Sequence, residues 1–462
     1  MNGARKIGER KMKTREYCMK KSLPVIAEPE VLVVGGGCAG LSAAICAARR
    51  GHRTMLAERM FCLGGAATNG MVGPFMTCSD PEGKREIVMG FFREFVERMI
   101  AAGGALEPMS IRNGDEYSAW HRFGHQNITP FNIETYKIVA EDLCRENSVE
   151  LLYGVTACNV LKTADGKALE GVVFLAREGM VFIRAQMVID CTGDADIAYL
   201  AGCPTEKGDA ETGEMQAASL FFSIDGVDEA VLQERFARGG HKCMRFKEEI
   251  EQAAAAGEYP VSRRKLGAYK NCDGTWRINA TRILDVDGTR SADLTRIAAE
   301  GRLQTRAIFN FLRKYVRGFE NIRLIASAAT PGVRETRRIK GNFVLQEEDI
   351  TGGRMFDDAV AVCSNSRDTH HGQTGTYIPS TCNYSLPYRM LLPIGADNLL
   401  AAGRCVSCTR PVLSAIRVMP PCFALGQAAG NAAALALDSG ERPCDIDIAQ
   451  LRRRLLSENV VL

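Results

Sequence analysis

The segment Val31-Leu-Val-Val-Gly-Gly-Gly-Cys-Ala-Gly40 constrains this chain more than any other. Four apolar residues in a row read as a buried strand. Gly35, Gly37 and Gly40 then stand in the G-x-G-x-x-G register. Gly35 allows the tight turn, Gly37 lets the backbone approach a pyrophosphate, and Gly40 lets a helix pack closely on the strand. The Ala-rich run from Gly40 to Arg50 reads as that helix. Its N-terminal turn, with Cys38 and Ala39, offers unpaired N–H groups to phosphates. A second strand, Thr54–Ala57, leads to Glu58, whose carboxylate can accept both hydroxyls of a ribose. A coincidental glycine turn would not also bring strand, helix, strand and acid in this order.

Arg59 follows the acid, and then Leu63-Gly-Gly65. A second glycine pair just past the ribose acid can approach the pyrophosphate or ribityl chain from the other side. This spacing looks like an FAD site of glutathione-reductase type. No second G-x-G-x-x-G follows a strand, so no built-in NAD(P)H domain is expected.

Alternating strands and helices fill the first part of the chain. Arg85–Ala102 has helical spacing of Ile87, Phe91, Phe92, Phe95, Val96 and Met99. Ile133–Asn147 reads as a helix and Glu150–Tyr153 as a strand. Val172–Leu175 and Val181–Ile183 read as a hairpin, and Met187–Asp190 as a buried strand. From about Pro204 to Tyr384 the sequence is more polar, with charged helices such as Ser291–Val316. It then returns to an apolar strand, Leu399–Ala402, and an Ala/Gly-rich helix, Cys422–Leu437. The expected architecture is α/β: a Rossmann-like FAD-binding domain of glutathione-reductase type with an inserted α+β substrate domain. The expected divisions are an N-terminal arm over 1–28, a discontinuous FAD-binding domain over 29–203 and 385–462, and an inserted substrate or cap domain over 204–384.

Bulk properties narrow the function class. A net charge of +3 over 462 residues gives no nucleic-acid footprint. No run reaches the roughly 18 apolar residues of a membrane span. The basic first 21 residues lack the apolar core of a secretory signal and read as a solvated arm. Seventeen cysteines are scattered, and Cys46, Cys191 and Cys422 sit inside apolar runs. Buried thiols of this kind fit a reducing, cytoplasmic setting.

The chain resembles the bacterial FAD-dependent oxidoreductase family, distantly similar to fumarate reductase and succinate dehydrogenase flavoproteins. The resemblance runs through Leu23-Pro-Val, Val33-Val-Gly-Gly-Gly, Leu63-Gly-Gly-Ala-Ala-Thr68, Phe131-Asn-Ile-Glu134 and Ile189-Asp-Cys-Thr-Gly-Asp-Ala-Asp196. It continues through Gly332-Val-Arg-Glu-Thr-Arg-Arg-Ile339, Leu386-Pro-Tyr-Arg389, Leu399-Leu-Ala-Ala-Gly-Arg404, Arg417-Val-Met-Pro420 and Gly426-Gln-Ala-Ala-Gly430. It implies that Gly193 and Asp194 end a strand beside FAD, and that Gly403 and Arg404 contact its phosphate or ribityl portion. It also implies that the helix near Met419, carrying Gly426, aims its N-terminus at the flavin. A helix N-terminus there stabilises the negative charge of the reduced ring.

Substrate chemistry is less legible. His370 and His371 sit together in the Gly/Thr/Ser-rich stretch Asn365–Ser380, as proton-transfer candidates or as loop histidines. Neighbours on an extended chain point oppositely, so at most one is expected to face the flavin. Arg334 follows Pro331-Gly332 and is a candidate anchor for an acidic substrate. Arg337 and Arg338 read as structural ion-pair partners for Glu335, Glu347 or Glu348. Cys405 and Cys408 form a Cys-x-x-Cys, read either as a redox dithiol or as buried thiols. His121 and His125 have i, i+4 spacing, but Gly124 between them argues against a helix, and no metal site is expected.

The sequence therefore implies an enzyme that moves a hydride between a small organic substrate and flavin N5, with an external electron acceptor or donor. A flavin electron-transfer subunit and a flavin monooxygenase are the alternatives. A redox partner protein and a homo-oligomeric assembly both stay open.

Overall fold

The computed structural model describes residues 22–372 and 375–462. The basic segment 1–21 of the expected arm lies outside the described residues.

Val31–Val34 is the central strand of a five-stranded parallel sheet. Met187–Asp190 and then Leu399–Ala401 lie on one side of it. Thr54–Glu58 and then Glu150–Tyr153 lie on the other. Period-two alternation sends the central strand's side chains into two different cores. Val31 and Val33 pack with helices Cys38–Arg49 and Met419–Ser439. Leu32 and Val34 pack with the antiparallel strands Thr156–Lys162, Leu169–Ala176 and Gly179–Arg184. With both faces covered, all four residues are buried, as a continuous apolar run requires. The described end of the expected arm is not free: Val25–Ala27 adds to this second sheet, parallel to Gly179–Arg184.

A third hydrophobic cluster forms elsewhere. It gathers around the antiparallel strands Phe222–Asp225, Gly267–Lys270, Trp276–Asn279 and Arg323–Ser327 and the helix Ser291–Tyr315. Ala359–Cys363 does not share that cluster. It pairs with Tyr384–Pro387, and both pack into the core of the Cys38–Arg49 helix.

Several element boundaries differ from expectation for local reasons. The helix expected from Arg85 begins only at Phe91. Ile87 and Val88 instead donate to the Cys78 carbonyl. Gly90 then turns the chain, and Gln427 Oε1 accepts the Phe91 N–H at 2.9 Å. The last long helix starts at Met419 rather than Cys422, with Pro420 and Pro421 in its first turn. Proline is tolerated there because first-turn N–H groups have no intrahelical acceptor. The histidine-bearing stretch is a two-stranded ribbon, Arg367–Thr369 with Thr376–Ile378, joined through residues that include 373–374, outside the described set. Among the described residues, no single helix is long and apolar enough to cross a membrane.

Candidate active site

The turn after Val34 is built by close approach. Gly35 has φ +102°, and a Cβ on it would collide with the Cys191 carbonyl oxygen. Gly37 is the opposite case: a Cβ there would meet nothing within 4 Å and would project into open cavity. Glu58, buried at the end of its strand, accepts the Gly36 N–H at 2.6 Å and the Met60 N–H at 2.8 Å. Each carboxylate oxygen keeps a second lone pair for another donor.

Asp190 ends the neighbouring strand and pins the next turn. It accepts the Thr192 hydroxyl at 2.7 Å and the Thr192 and Ala198 N–H groups. Burial pushes its carboxyl up to about 6. The turn presents Gly193 and Asp194, and Asp194 accepts Arg404 Nη2 at 2.7 Å and the Thr336 hydroxyl at 2.8 Å.

These loops border one cavity of about 1920 Å³. Gly35, Gly37, Cys38, Ala39, Glu58, Arg59, Gly64, Gly65, Gly193, Asp194, Gly403, Arg404 and Met419 all line it. Gly40 and Gly426 do not. A Cβ on Gly40 would strike the Gly35 carbonyl, and one on Gly426 the Ala39 carbonyl, so both residues set helix packing behind the cavity. The Met419–Ser439 helix opens onto the cavity at Val418 and Met419. Pro420 and Pro421 carry no N–H, which leaves the Met419 N–H as its leading donor.

The same cavity continues to residues of the third cluster and of the histidine ribbon. His370 and Arg334 line it; His371 does not. The His370 ring is held on both sides, with Nε2 2.9 Å from Asp368 Oδ2 and Nδ1 3.4 Å from Arg282 Nη1. An arginine can only donate, so Nδ1 accepts and the imidazole proton sits on Nε2. Burial, with the Arg334 charge nearby, pulls His370 down to about 3. Against its burial, the hydrogen bond from His370, with the Arg417 and Arg334 charges, holds Asp368 well below the carboxylate range. His371 contributes its carbonyl, which accepts Arg282 Nη2 at 3.1 Å.

Arg337 pairs with Asp196 at 2.9 Å, and Arg338 pairs with the buried Glu335 at 2.9 Å. Arg334 instead donates to the Ala217 carbonyl at 2.6 Å. Cys405 and Cys408 are both buried and free, in different hydrophobic clusters. Burial pushes Cys408 up to about 12 and Cys405 well above the usual thiol value. Among the described residues, no group of three or more His, Cys, Asp or Glu side chains is placed to hold a metal ion.

Several cavity residues carried no sequence signal of their own. Arg245 and Arg282 stand in no motif, Arg263 and Lys265 lie in the short basic run Arg263-Arg-Lys265, and Asp368 sits in the histidine-bearing stretch without a pattern that picks it out. His121 and His125 are not on a helix, yet their rings stack 3.7 Å apart on the cavity wall.

The family model for FAD-dependent oxidoreductases matches residues 30–455, and the chain belongs to that family. Its cofactor is FAD, and the chain is an oxidoreductase with a Rossmann-like α/β core. A 98-residue stretch is 36% identical to an NADH oxidase of Thermoanaerobacter brockii. The match covers 21% of this chain and only 13% of that relative's length. Among solved structures, a triple mutant of a flavin-dependent brominase superposes with a TM-score of 0.49 at 12% identity, over 93% of this chain and 84% of the other. An L-proline dehydrogenase from P. horikoshii gives a TM-score of 0.44 at 11% identity, over 93% of this chain and 99% of the other.

Proposed function

We propose that this enzyme transfers a hydride between a small organic substrate and N5 of FAD, with an external electron acceptor or donor completing the cycle. The observation that carries the reading is the single cavity shared by the dinucleotide loops and by His370 and Arg334. Its volume exceeds the roughly 300–1000 Å³ of an ordinary small-ligand pocket. That leaves room for a dinucleotide and a second molecule.

The residues present fit FAD. Open space in front of Gly37, the free first-turn N–H groups beyond it and the spare lone pairs on Glu58 suit a pyrophosphate and a ribose. FAD, when bound, supplies a ring that exchanges a hydride at N5. The Met419 helix end favours negative charge in the cavity. Asp194 and Arg404 hold the Gly193 and Gly403 turns in register with one another. Gly64, Gly65, Cys38, Ala39 and Arg59 complete the cofactor wall.

At the substrate end, Arg334 binds and orients, and His370 keeps its proton on Nε2 against Asp368. We assign the FAD-binding unit the glutathione-reductase type, because an antiparallel sheet covers one face of its parallel sheet and helices cover the other. The third hydrophobic cluster supports a substrate domain inserted within 204–384. The part around 340–363 packs with the FAD-binding unit instead.

Purified protein tests the reading. The expected result is a yellow protein, or one that takes up added FAD stoichiometrically, and that is reduced anaerobically by a small organic donor or reoxidised by a small acceptor. A protein that binds no FAD refutes it. Reduction only by a protein partner would favour the electron-transfer subunit, and rapid reduction by NADPH the monooxygenase.

A further inference from the structure

Arg245, Arg263, Lys265, Arg282 and Arg334 all line the cavity beyond the dinucleotide loops. Among the described residues none of the five is in an ion pair. The arginines spend part of their donors on neutral acceptors. Arg245 reaches the Ala119 carbonyl and His121 Nε2, Arg263 reaches Asn279 Oδ1, Arg282 reaches the Gly372 carbonyl, and Arg334 reaches the Ala217 carbonyl. The other acids of the cavity are placed or engaged elsewhere. Glu58 and Asp194 serve the dinucleotide turns, Asp196 pairs with Arg337, and Glu249 pairs with Arg235. Glu248 and Glu251 are exposed on the Lys247–Ala255 helix. Asp368 is the carboxylate left facing the five cations, and it is shared with His370. Burial, with the Arg417, Arg263 and Arg282 charges nearby, lowers Arg334.

Arg282 is buried, Arg245, Arg263 and Arg334 are half-buried, and Lys265 stands at the exposed rim. Like charges gathered at this depth repel one another unless an opposite charge arrives. With the exposed groups of both signs set aside, four arginines against one carboxylate still leave more positive charge than a monoanion balances. We infer that the substrate is a small organic anion carrying at least two negative charges, held by the wall of Arg245, Arg263, Lys265, Arg282 and Arg334. The inference rests on the reading of this cavity as the flavin and substrate site. Guanidinium donors left free in the cavity wall match the planar oxygens of a carboxylate or the oxygens of a phosphate ester. A cleft of one sign also concentrates such ions from solution.

The test is a titration of the FAD-loaded protein with citrate, succinate, inorganic phosphate, acetate and glycerol, read by calorimetry and by the flavin visible band. Citrate, succinate or phosphate should bind at least about tenfold more tightly than acetate, a gap of about 1.4 kcal/mol. Raised salt should weaken the binding. Tight binding by the carboxylates alone identifies a polycarboxylate, and by phosphate alone a phosphate ester. The double variant Arg263→Gln/Lys265→Gln should lose at least about tenfold in that affinity while keeping its FAD. Should it not fold, the salt dependence of the native protein still decides. Equal affinity for acetate or glycerol overturns the inference and leaves the flavin reading standing. A protein without FAD refutes the flavin reading, and calorimetry on that apoprotein then judges the anion site alone. No heat with citrate, succinate or phosphate overturns it there too.

Discussion

The Nε2 atom of His370 lies 2.9 Å from Asp368 Oδ2, in a cavity wall that also carries Arg245, Arg263, Arg282 and Arg334. The pair fixes which ring nitrogen carries the proton. Arg282 on the far nitrogen blocks a second proton from arriving there. His370 should therefore stay neutral from pH 8 down to pH 5. Histidine-labelled protein followed by NMR checks this, with His370→Gln giving the assignment. A His370 signal that titrates near its ordinary value of about 6.5 would contradict the arrangement.

Buried neutral histidines make stability depend on pH. His125 is buried, with its Nε2 3.2 Å from the Tyr269 hydroxyl, and burial pulls it down to about 4. Its unfolded value is about 6.5. The unfolded chain therefore takes up a proton first as pH falls, and the folded state loses ground between about pH 6.5 and pH 4. The contribution is about 3 kcal/mol at most. Denaturant midpoints should drop across that window and drop less in His125→Asn. A flat profile in the wild type would sink the idea.

Glu58 stands between two backbone N–H groups and the cavity. Glu58→Gln keeps one acceptor oxygen but turns the other position into a donor facing an N–H. Charge-assisted hydrogen bonds contribute about 1.5–3 kcal/mol each, so FAD affinity should fall about tenfold or more. Fluorescence titration of the apoprotein with FAD measures it. Unchanged affinity would remove Glu58 from the cofactor wall.

The first half of the cavity was legible because it is local. A strand, a turn, a helix and an acid follow one another within Val31–Glu58, and each has a steric or electrostatic reason to be there. The substrate half is not local. Arg245, Arg282 and Asp368 come together only after the ribbon at Arg367–Ile378 folds against segments far earlier in the chain. No periodicity marks a residue whose role is to face a cavity. The histidine pair shows the limit: alternation said that at most one ring of the two would face inward, and only the ribbon's placement puts His370 on the cavity wall. The missed start of the Phe91–Ala101 helix has the same origin. Helical spacing was present from Ile87, but Glu86 is held extended in a bridge to Ser79 and Gly90, at φ +61°, breaks the run before Phe91.

The Cys405 and Cys408 thiols are both buried and raised, so neither is a ready nucleophile. Native protein treated with a thiol reagent should be labelled at the exposed Cys158 and Cys444 long before either of them. Cys408→Ala should leave the reduction potential of bound FAD in place. Rapid labelling of Cys405 or Cys408, or a shifted potential in Cys408→Ala, would restore the dithiol reading.

Gly426 faces the Ala39 carbonyl where the Met419–Ser439 and Cys38–Arg49 helices cross. A side chain of any size must push the two helices apart, because the obstacle is backbone. The helices are also coupled through Ser42, whose hydroxyl donates to the Phe423 carbonyl at 2.8 Å. Separating them moves the Gly35–Gly40 turn at one end and the Met419 terminus at the other. Overpacking of this kind costs about 1–3 kcal/mol. Gly426→Val should therefore lower the urea midpoint and weaken FAD binding together, whereas Gly257→Ala, in a turn with open space, should cost only its backbone strain and leave FAD binding alone. If Gly426→Val loses stability but binds FAD as tightly as the wild type, the crossing does not position the cofactor loops.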